Sequence, residues 1–115
     1  NYKNNFFSEL IGTFILVFAI FFIAKPMLEI EGEVVNFGIG SLDALPVGIV
    51  VWVIGMTLGG TTGFAINPAR DFGPRLMYSL LPRKNKKPDW SYSWIPVFGP
   101  ITGAVLAGLL FNFLN

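Results

Sequence analysis

Three apolar runs of near-bilayer length constrain this chain more than anything else in it. Residues 6–24 (FFSELIGTFILVFAIFFIA) carry a single charge, Glu9, near the start. Their length is close to the ~20 residues a helix needs to cross a ~30 Å hydrocarbon core. Lys25 and Pro26 then stop the run with a cation and a helix breaker. Residues 94–114 hold no formal charge, and Trp90, Tyr92 and Trp94 cluster at their entrance as an interfacial aromatic belt does. The middle run, residues 45–58, is short. It reaches spanning length if residues 39–44 add a turn or if the helix continues into the glycines that follow. The expected spans are therefore about 6–24, 42–58 and 94–114, an all-α membrane protein. Charged residues make up 13% of the 115, about half the ~25% of a soluble domain, so a water-soluble globule is excluded and the lipid bilayer is the first partner.

Several chemistries drop out at once. The chain has no cysteine and no histidine, which removes disulfides, thiolate or imidazole metal sites, Cys nucleophiles and His bases. A net charge of +1 gives no electrostatic footprint for nucleic acid. Neither a metal nor a cofactor is expected, and with no nucleophile–base pair or phosphate-binding loop an enzyme is not expected either. The first run is too long for a secretory signal, carries Glu9 and lacks a cleavage pattern. The sequence opens on Asn1, as a processed product or a piece of a longer chain would.

The most informative stretch lies between the second and third runs. Residues 59–81 (GGTTGFAINPARDFGPRLMYSLL) hold Arg70, Asp71 and Arg75, too much charge for a lipid-facing span. They also hold too many apolar side chains for a solvated loop. Asn67-Pro68 is a strong helix start, with Asn as N-cap and Pro at the first helical position. Asp71 in the first turn suits the positive end of the helix dipole. A helix over 68–81 would be ~21 Å long at ~1.5 Å per residue, enough to reach about halfway across a bilayer. Residues 59–63 ahead of it read as irregular backbone, which is tolerated at membrane depth only when buried in protein or lining a wet cavity. The expectation is a re-entrant unit: a loop descends to the midplane and a half-helix returns to the same side.

The residues Gly63-Phe64-Ala65-Ile66-Asn67-Pro68-Ala69-Arg70-Asp71-Phe72-Gly73-Pro74-Arg75 resemble the second Asn-Pro-Ala box of the major intrinsic protein family, the aquaporins and glycerol facilitators. Ser8-Glu9-Leu10-Ile11-Gly12-Thr13 resembles the Glu-x-x-x-Thr opening of a repeat in that family. The resemblance covers nearly the whole chain as the second of the family's two inverted repeats: three transmembrane helices plus one re-entrant half-helix. It implies a partner, the missing N-terminal repeat with its own Asn-Pro-Ala box. It also implies a homotetramer with one pore per protomer, in the cell membrane. The glycerol-conducting branch is the closer likeness. Asp71 follows the box arginine, Arg75 fits the basic residue common there, and Pro96-Val97 fits the start of the last span. Gly55 stands where water-selective members place a filter histidine, and Phe64 matches the aromatic of the glycerol filter.

Each singled-out residue has a plain reading beside the functional one. Arg70 is either a structural arginine satisfied by loop carbonyls or, as intramembrane charge generally is, functional; its implied role is to donate to passing hydroxyls and repel cations. Asn67 is a helix cap whose N–H₂ group can also donate into a lumen, while Pro68 and Ala69 supply geometry. Gly55 makes room in the filter or, with Gly59 and Gly63, lets helices approach. The carbonyls of Gly63, Phe64 and Ala65 would form an acceptor ladder opposite the donors. Asp71 and Arg75 are an i,i+4 pair or hold a loop over the pore. Glu9 and Thr13 share a face of the first helix. They are a carboxylate and hydroxyl near a helix end or, as the resemblance implies, acceptors for the buried N–H groups of the loop. Gly99, Gly103 and Ala107 read as helix packing.

The resulting expectation is a passive channel for glycerol, water and other small neutral solutes that excludes ions and protons. The rival readings are an ion- or proton-coupled secondary transporter, for which Asp71 and Glu9 are the available titratable groups, and a scaffold protein with a vestigial pore. The basic run at 83–87 lies on the half-helix side, where charge alone would place it in the cytoplasm. The family topology puts it outside, and we follow the family because earlier spans set orientation.

Overall fold

The computed structural model describes all residues, 1–115. Helix α1 (Tyr2–Phe22) leads into strands β1 (Met27–Ile30) and β2 (Glu33–Asn36), then a 3-10 turn (Gly40–Ala44) continuous with α2 (Leu45–Thr62). Helix α3 (Pro68–Leu80) and helix α4 (Ile95–Leu114) complete the chain. Three helical segments, Tyr2–Phe22, Gly40–Thr62 and Ile95–Leu114, are long and apolar enough to cross a membrane. Helix α3, at 13 residues, is ~20 Å long and falls short of spanning.

The element bounds differ from the sequence expectation in instructive ways. Helix α1 starts at Tyr2 rather than at 6, because the Asn1 side chain caps it by accepting from the Lys3 N–H at 3.1 Å. Residues 59–62, expected as irregular, are helical, and the irregular backbone is confined to 63–67. Gly63 ends α2 at φ +78, the left-handed conformation in which glycine carries no Cβ penalty. Glycine and threonine are poor helix formers in water, but where nothing else satisfies backbone groups the hydrogen-bonded ladder wins. The threonines add to it: Thr57 donates to the Val53 carbonyl and Thr61 to that of Leu58.

Helices α1 and α4 form the packed centre of the fold. Gly99, Gly103 and Ala107 lie buried on one stripe of α4. A Cβ on Gly99 would stand 2.9 Å from the Glu9 Cβ, and one on Gly103 would collide with the Leu10 carbonyl oxygen. The two backbones approach that closely only because these side chains are missing, which is how apolar helices gain dispersion contacts inside lipid. Helix α2 touches α1 over a shorter length, and α3 packs on α4. Helices α2 and α3 stand apart, joined by residues 63–67. Only 11 of the 115 residues are buried, while Phe7, Ile11, Ile15, Phe98, Ile101, Val105 and Leu109 point outward. So much apolar surface on α1 and α4 demands lipid or further protein around it.

Aromatic rings gather where α1 begins and α4 is entered. Phe6 stacks on Trp94 at 5.7 Å, and Tyr2 meets Tyr92 edge-on at 5.9 Å. Burial pushes the Tyr92 phenol above its ordinary pKa, against the hydrogen bond its oxygen accepts from Asn5.

Candidate functional site

The site is built around the five residues 63–67 and the carboxylate that faces them from α1. Glu9 is 1% exposed. Its Oε1 accepts from the Thr62 hydroxyl at 2.6 Å and the Ala65 N–H at 2.9 Å, and its Oε2 accepts from the Ile66 N–H at 2.6 Å. The Thr62 hydroxyl oxygen in turn accepts from the Phe64 N–H at 3.2 Å. Two consecutive loop donors, those of Ala65 and Ile66, thus point at α1, and the one before them, that of Phe64, points at Thr62 on α2. Unpaired, each would carry the desolvation cost of a buried amide, about 1–3 kcal/mol.

The peptide geometry then decides where the acceptors go. No peptide bond in the chain is cis, and in a trans peptide the N–H and the preceding C=O point in opposite directions. With the N–H groups of Ala65 and Ile66 aimed at Glu9 and that of Phe64 aimed at Thr62, the carbonyls of Phe64 and Ala65 are aimed away from α1 and that of Gly63 away from Thr62. None of these three carbonyls accepts a hydrogen bond within the chain. The arrangement is strained: Phe64 and Ile66 have φ of +43 and +42, unfavourable for residues with a Cβ at roughly 1–3 kcal/mol each. The Glu9 bonds and burial of the Ile66 side chain, 4% exposed and seated over Gly12, hold it.

Asn67 sits in extended backbone at φ −160, and its Oδ1 accepts from the Ala69 N–H at 2.8 Å. The cap therefore uses the side-chain oxygen and leaves the exposed N–H₂ group as a donor. Pro68 occupies the first helical turn, where its missing N–H costs nothing. One turn along, the Arg70 guanidinium lies 5.3 Å from the centre of the Phe64 ring, a cation–π distance. That ring rests on α2 at Gly55 and Gly59: a Cβ on either glycine would come to 3.0 Å of it. Gly55 and Gly59 thus seat an aromatic side chain.

The structure therefore brings together Phe64, Gly55 and Arg70 on one side of the loop, and Glu9, Ala65 and Gly63 within the loop's own hydrogen-bond scheme. Thr13 is placed differently from the sequence expectation. Its hydroxyl donates to the Glu9 carbonyl at 2.9 Å, within its own helix, and takes no part in holding the loop. The hydroxyl that does so is Thr62, which sequence reasoning missed along with Gly12 and Ile66. Their signal was present only as a small residue one turn from Glu9 and a threonine just before the turn. Asp71 and Arg75 form the intrahelical pair expected of their spacing. They pair across one helical turn at 2.7 Å, and Arg75 also reaches the backbone of Pro88 and Asp89. No cluster of three or more potential metal-ligating side chains is present.

A family model described as "Major intrinsic protein" matches residues 1–111. The chain belongs to the major intrinsic protein family. Its three spanning-length helices and single half-helix are one repeat of that family's fold, and it is a multi-pass integral membrane protein. Among curated proteins it is 48% identical over 111 residues to "Glycerol uptake facilitator protein 3" of Lactiplantibacillus plantarum, an alignment covering 96% of this chain and 42% of that one. It is 48% identical over 110 residues to "Glycerol uptake facilitator protein" of Streptococcus pneumoniae serotype 4, covering 95% and 43%. With "Probable glycerol uptake facilitator protein" of Thermotoga maritima it shares 46% over 114 residues, covering 98% and 44%. The chain thus spans less than half the length of these relatives. No solved structure matches it.

Proposed function

We propose that this chain is the second repeat of a passive channel for glycerol, water and other small neutral solutes, completed by a first repeat of inverted topology and assembled as a homotetramer in the cell membrane. The observation that carries the reading is the outward turn of the Gly63, Phe64 and Ala65 carbonyls, forced by the pinning of the next three N–H groups to Glu9 and Thr62. A solute hydroxyl both donates and accepts. The carbonyl strip would take its proton, while the Asn67 amide and Arg70 guanidinium would supply donors to its oxygen. The Phe64 ring would face the solute's C–H edge. The names of the relatives, glycerol uptake facilitators, support this solute class.

Ion and proton exclusion belongs to the same reading. Arg70 would put a fixed positive charge in the passage and repel cations. The N-terminus of α3 and the Asn67 donor would orient water oxygens toward the half-helix and break a continuous proton wire.

Gly55→His tests the reading in the channel completed by its first repeat and reconstituted into liposomes. The new Cβ would stand 3.0 Å from the Phe64 ring, so the imidazole must narrow the passage or displace that ring. Stopped-flow light scattering should show glycerol permeability falling at least about tenfold, and water permeability falling less. Equal loss of both would remove Gly55 and Phe64 from the filter.

A further inference from the structure

Asp71 follows Arg70 directly, so the first turn of the half-helix carries an anion next to its cation. The structure keeps the two from compensating each other. Both Asp71 oxygens are taken by Arg75, Nε to Oδ2 at 2.7 Å and Nη2 to Oδ1 at 2.7 Å. This fork is the single ion pair in the structure. Arg75 is anchored in its turn: Nη1 donates to the carbonyl of Asp89 at 2.8 Å and to that of Pro88, and the guanidinium lies 6.0 Å from the Tyr92 ring centre. Asp89 adopts φ +47 there, a left-handed conformation that Asp tolerates better than most residues. Arg70 has no such partner, only the Phe64 ring at 5.3 Å. Arg70, Asp71, Arg75, Tyr78, Lys87 and Asp89 border one cleft of about 320 Å³.

The geometry suits arginine and not lysine. A planar guanidinium can hold a carboxylate with two parallel bonds and still offer a donor to backbone carbonyls, which a single ammonium cannot match. Asp placed four residues before its cation is also the orientation the helix dipole favours. Asp71 is consequently committed to one partner, and that partner is fixed from three sides.

We propose that Arg75 is a positioning residue for Arg70: by occupying both oxygens of Asp71 it leaves the Arg70 guanidinium uncompensated, so the cleft keeps a positive face toward cations. Without Arg75, Asp71 is a carboxylate with no partner, one residue from Arg70. It either pairs with Arg70 and draws that side chain aside, or stands in the mouth as an attractor of cations. For a bare charge at ~8 Å and an effective dielectric constant of ~20, cation occupancy rises roughly tenfold or more. The inference rests on the channel reading above and adds the control of its charge barrier.

The test uses the complete channel in liposomes, with potassium efflux read by an ion-selective electrode and glycerol flux measured in the same preparation. Arg75→Met and Arg75→Gln should each raise potassium efflux about tenfold or more over the unsubstituted channel. Arg75→Lys, which keeps a cation beside Asp71 without the two-bond fork, should leak less than either. The deciding variant is the double substitution Asp71→Asn with Arg75→Met. It still lacks the bonds to Pro88 and Asp89, yet it removes the freed carboxylate, and it should be tight again. Potassium exclusion retained in Arg75→Met and Arg75→Gln overturns the proposal. So does a double variant as leaky as the single one, since that result assigns Arg75 only to holding the 86–89 segment. An unsubstituted channel without glycerol flux would instead defeat the channel reading itself.

Discussion

Residues 63–67 and residues 27–36 are both short excursions between long helices, and they are held in opposite ways. The hairpin carries Met27, Leu28, Ile30, Val34 and Val35 among its eight strand residues, and every one of those eight is exposed. It is a self-contained ladder pairing Met27 with Asn36 through Ile30 with Glu33. Its two-residue turn puts Glu31 at φ +53 and Gly32 at +86, the double positive φ of a type I′ turn. Beyond its root, where the Phe37 N–H donates to the Pro26 carbonyl, nothing on the helices grips it. The loop at 63–67 has two strained φ values and no ladder, yet Glu9 on a neighbouring helix and the Thr62 hydroxyl satisfy its donors. The loop is fixed by outside partners for its backbone donors together with the burial of Ile66, whereas the apolar side chains of the hairpin bury nothing.

That contrast can be broken most forcefully at Glu9. Glu9→Gln keeps the shape but turns an N–H₂ group toward the Ile66 N–H and withdraws the charge from the remaining bonds. The expected loss is about 2–4 kcal/mol, read as a lower unfolding midpoint in detergent, with glycerol flux reduced alongside. An unchanged midpoint would mean that the loop is held by packing of Ile66 alone. A smaller effect is expected from Thr62→Val, which removes one donor to Glu9 and leaves the Phe64 N–H unpaired. It should cost about 1–2 kcal/mol and speed hydrogen exchange at Phe64 first. Exchange at Ala65 accelerated as much as at Phe64 would show that the carboxylate depends on Thr62 for its position. Smallest for the midpoint is Gly32→Ala in the hairpin. Its φ of +86 is awkward for alanine, but a Cβ there meets nothing within 4 Å. The cost, roughly 1–2 kcal/mol, should stay local to the hairpin, with the unfolding midpoint of the helices unmoved. A midpoint that falls as far as in Thr62→Val would show the hairpin to be part of the cooperative unit after all.

The same contrast explains what could be read from the sequence. Apolar runs at bilayer length and the Asn67-Pro68 start are local signals, and the helices they announce are present. Glu9 was legible because a lone carboxylate in an apolar run needs partners, and the resemblance named them. The reach of α2 through Gly59 and Gly60 was not legible, since propensity measured in water undervalues a helix that has no competing solvent. The hairpin was missed because Glu31-Gly32 is a weaker turn signal than Asn-Gly or Asp-Gly, and Glu29 and Glu33 obscure the strand alternation. Thr62 rather than Thr13 as the loop's second acceptor depends on where α2 ends, a tertiary outcome. The seating of Phe64 on Gly55 and Gly59 likewise appears only once the loop is folded back on its own helix.

The most direct measurement is glycerol uptake into liposomes carrying the complete channel, with and without ionophores that dissipate proton and sodium gradients. A conduit built from carbonyl acceptors and fixed donors should equilibrate glycerol at the same rate in both conditions, faster than protein-free liposomes. Uptake that collapses with either gradient would make the protein a coupled transporter, and uptake no faster than the lipid alone would leave the loop at 63–67 without a solute to serve.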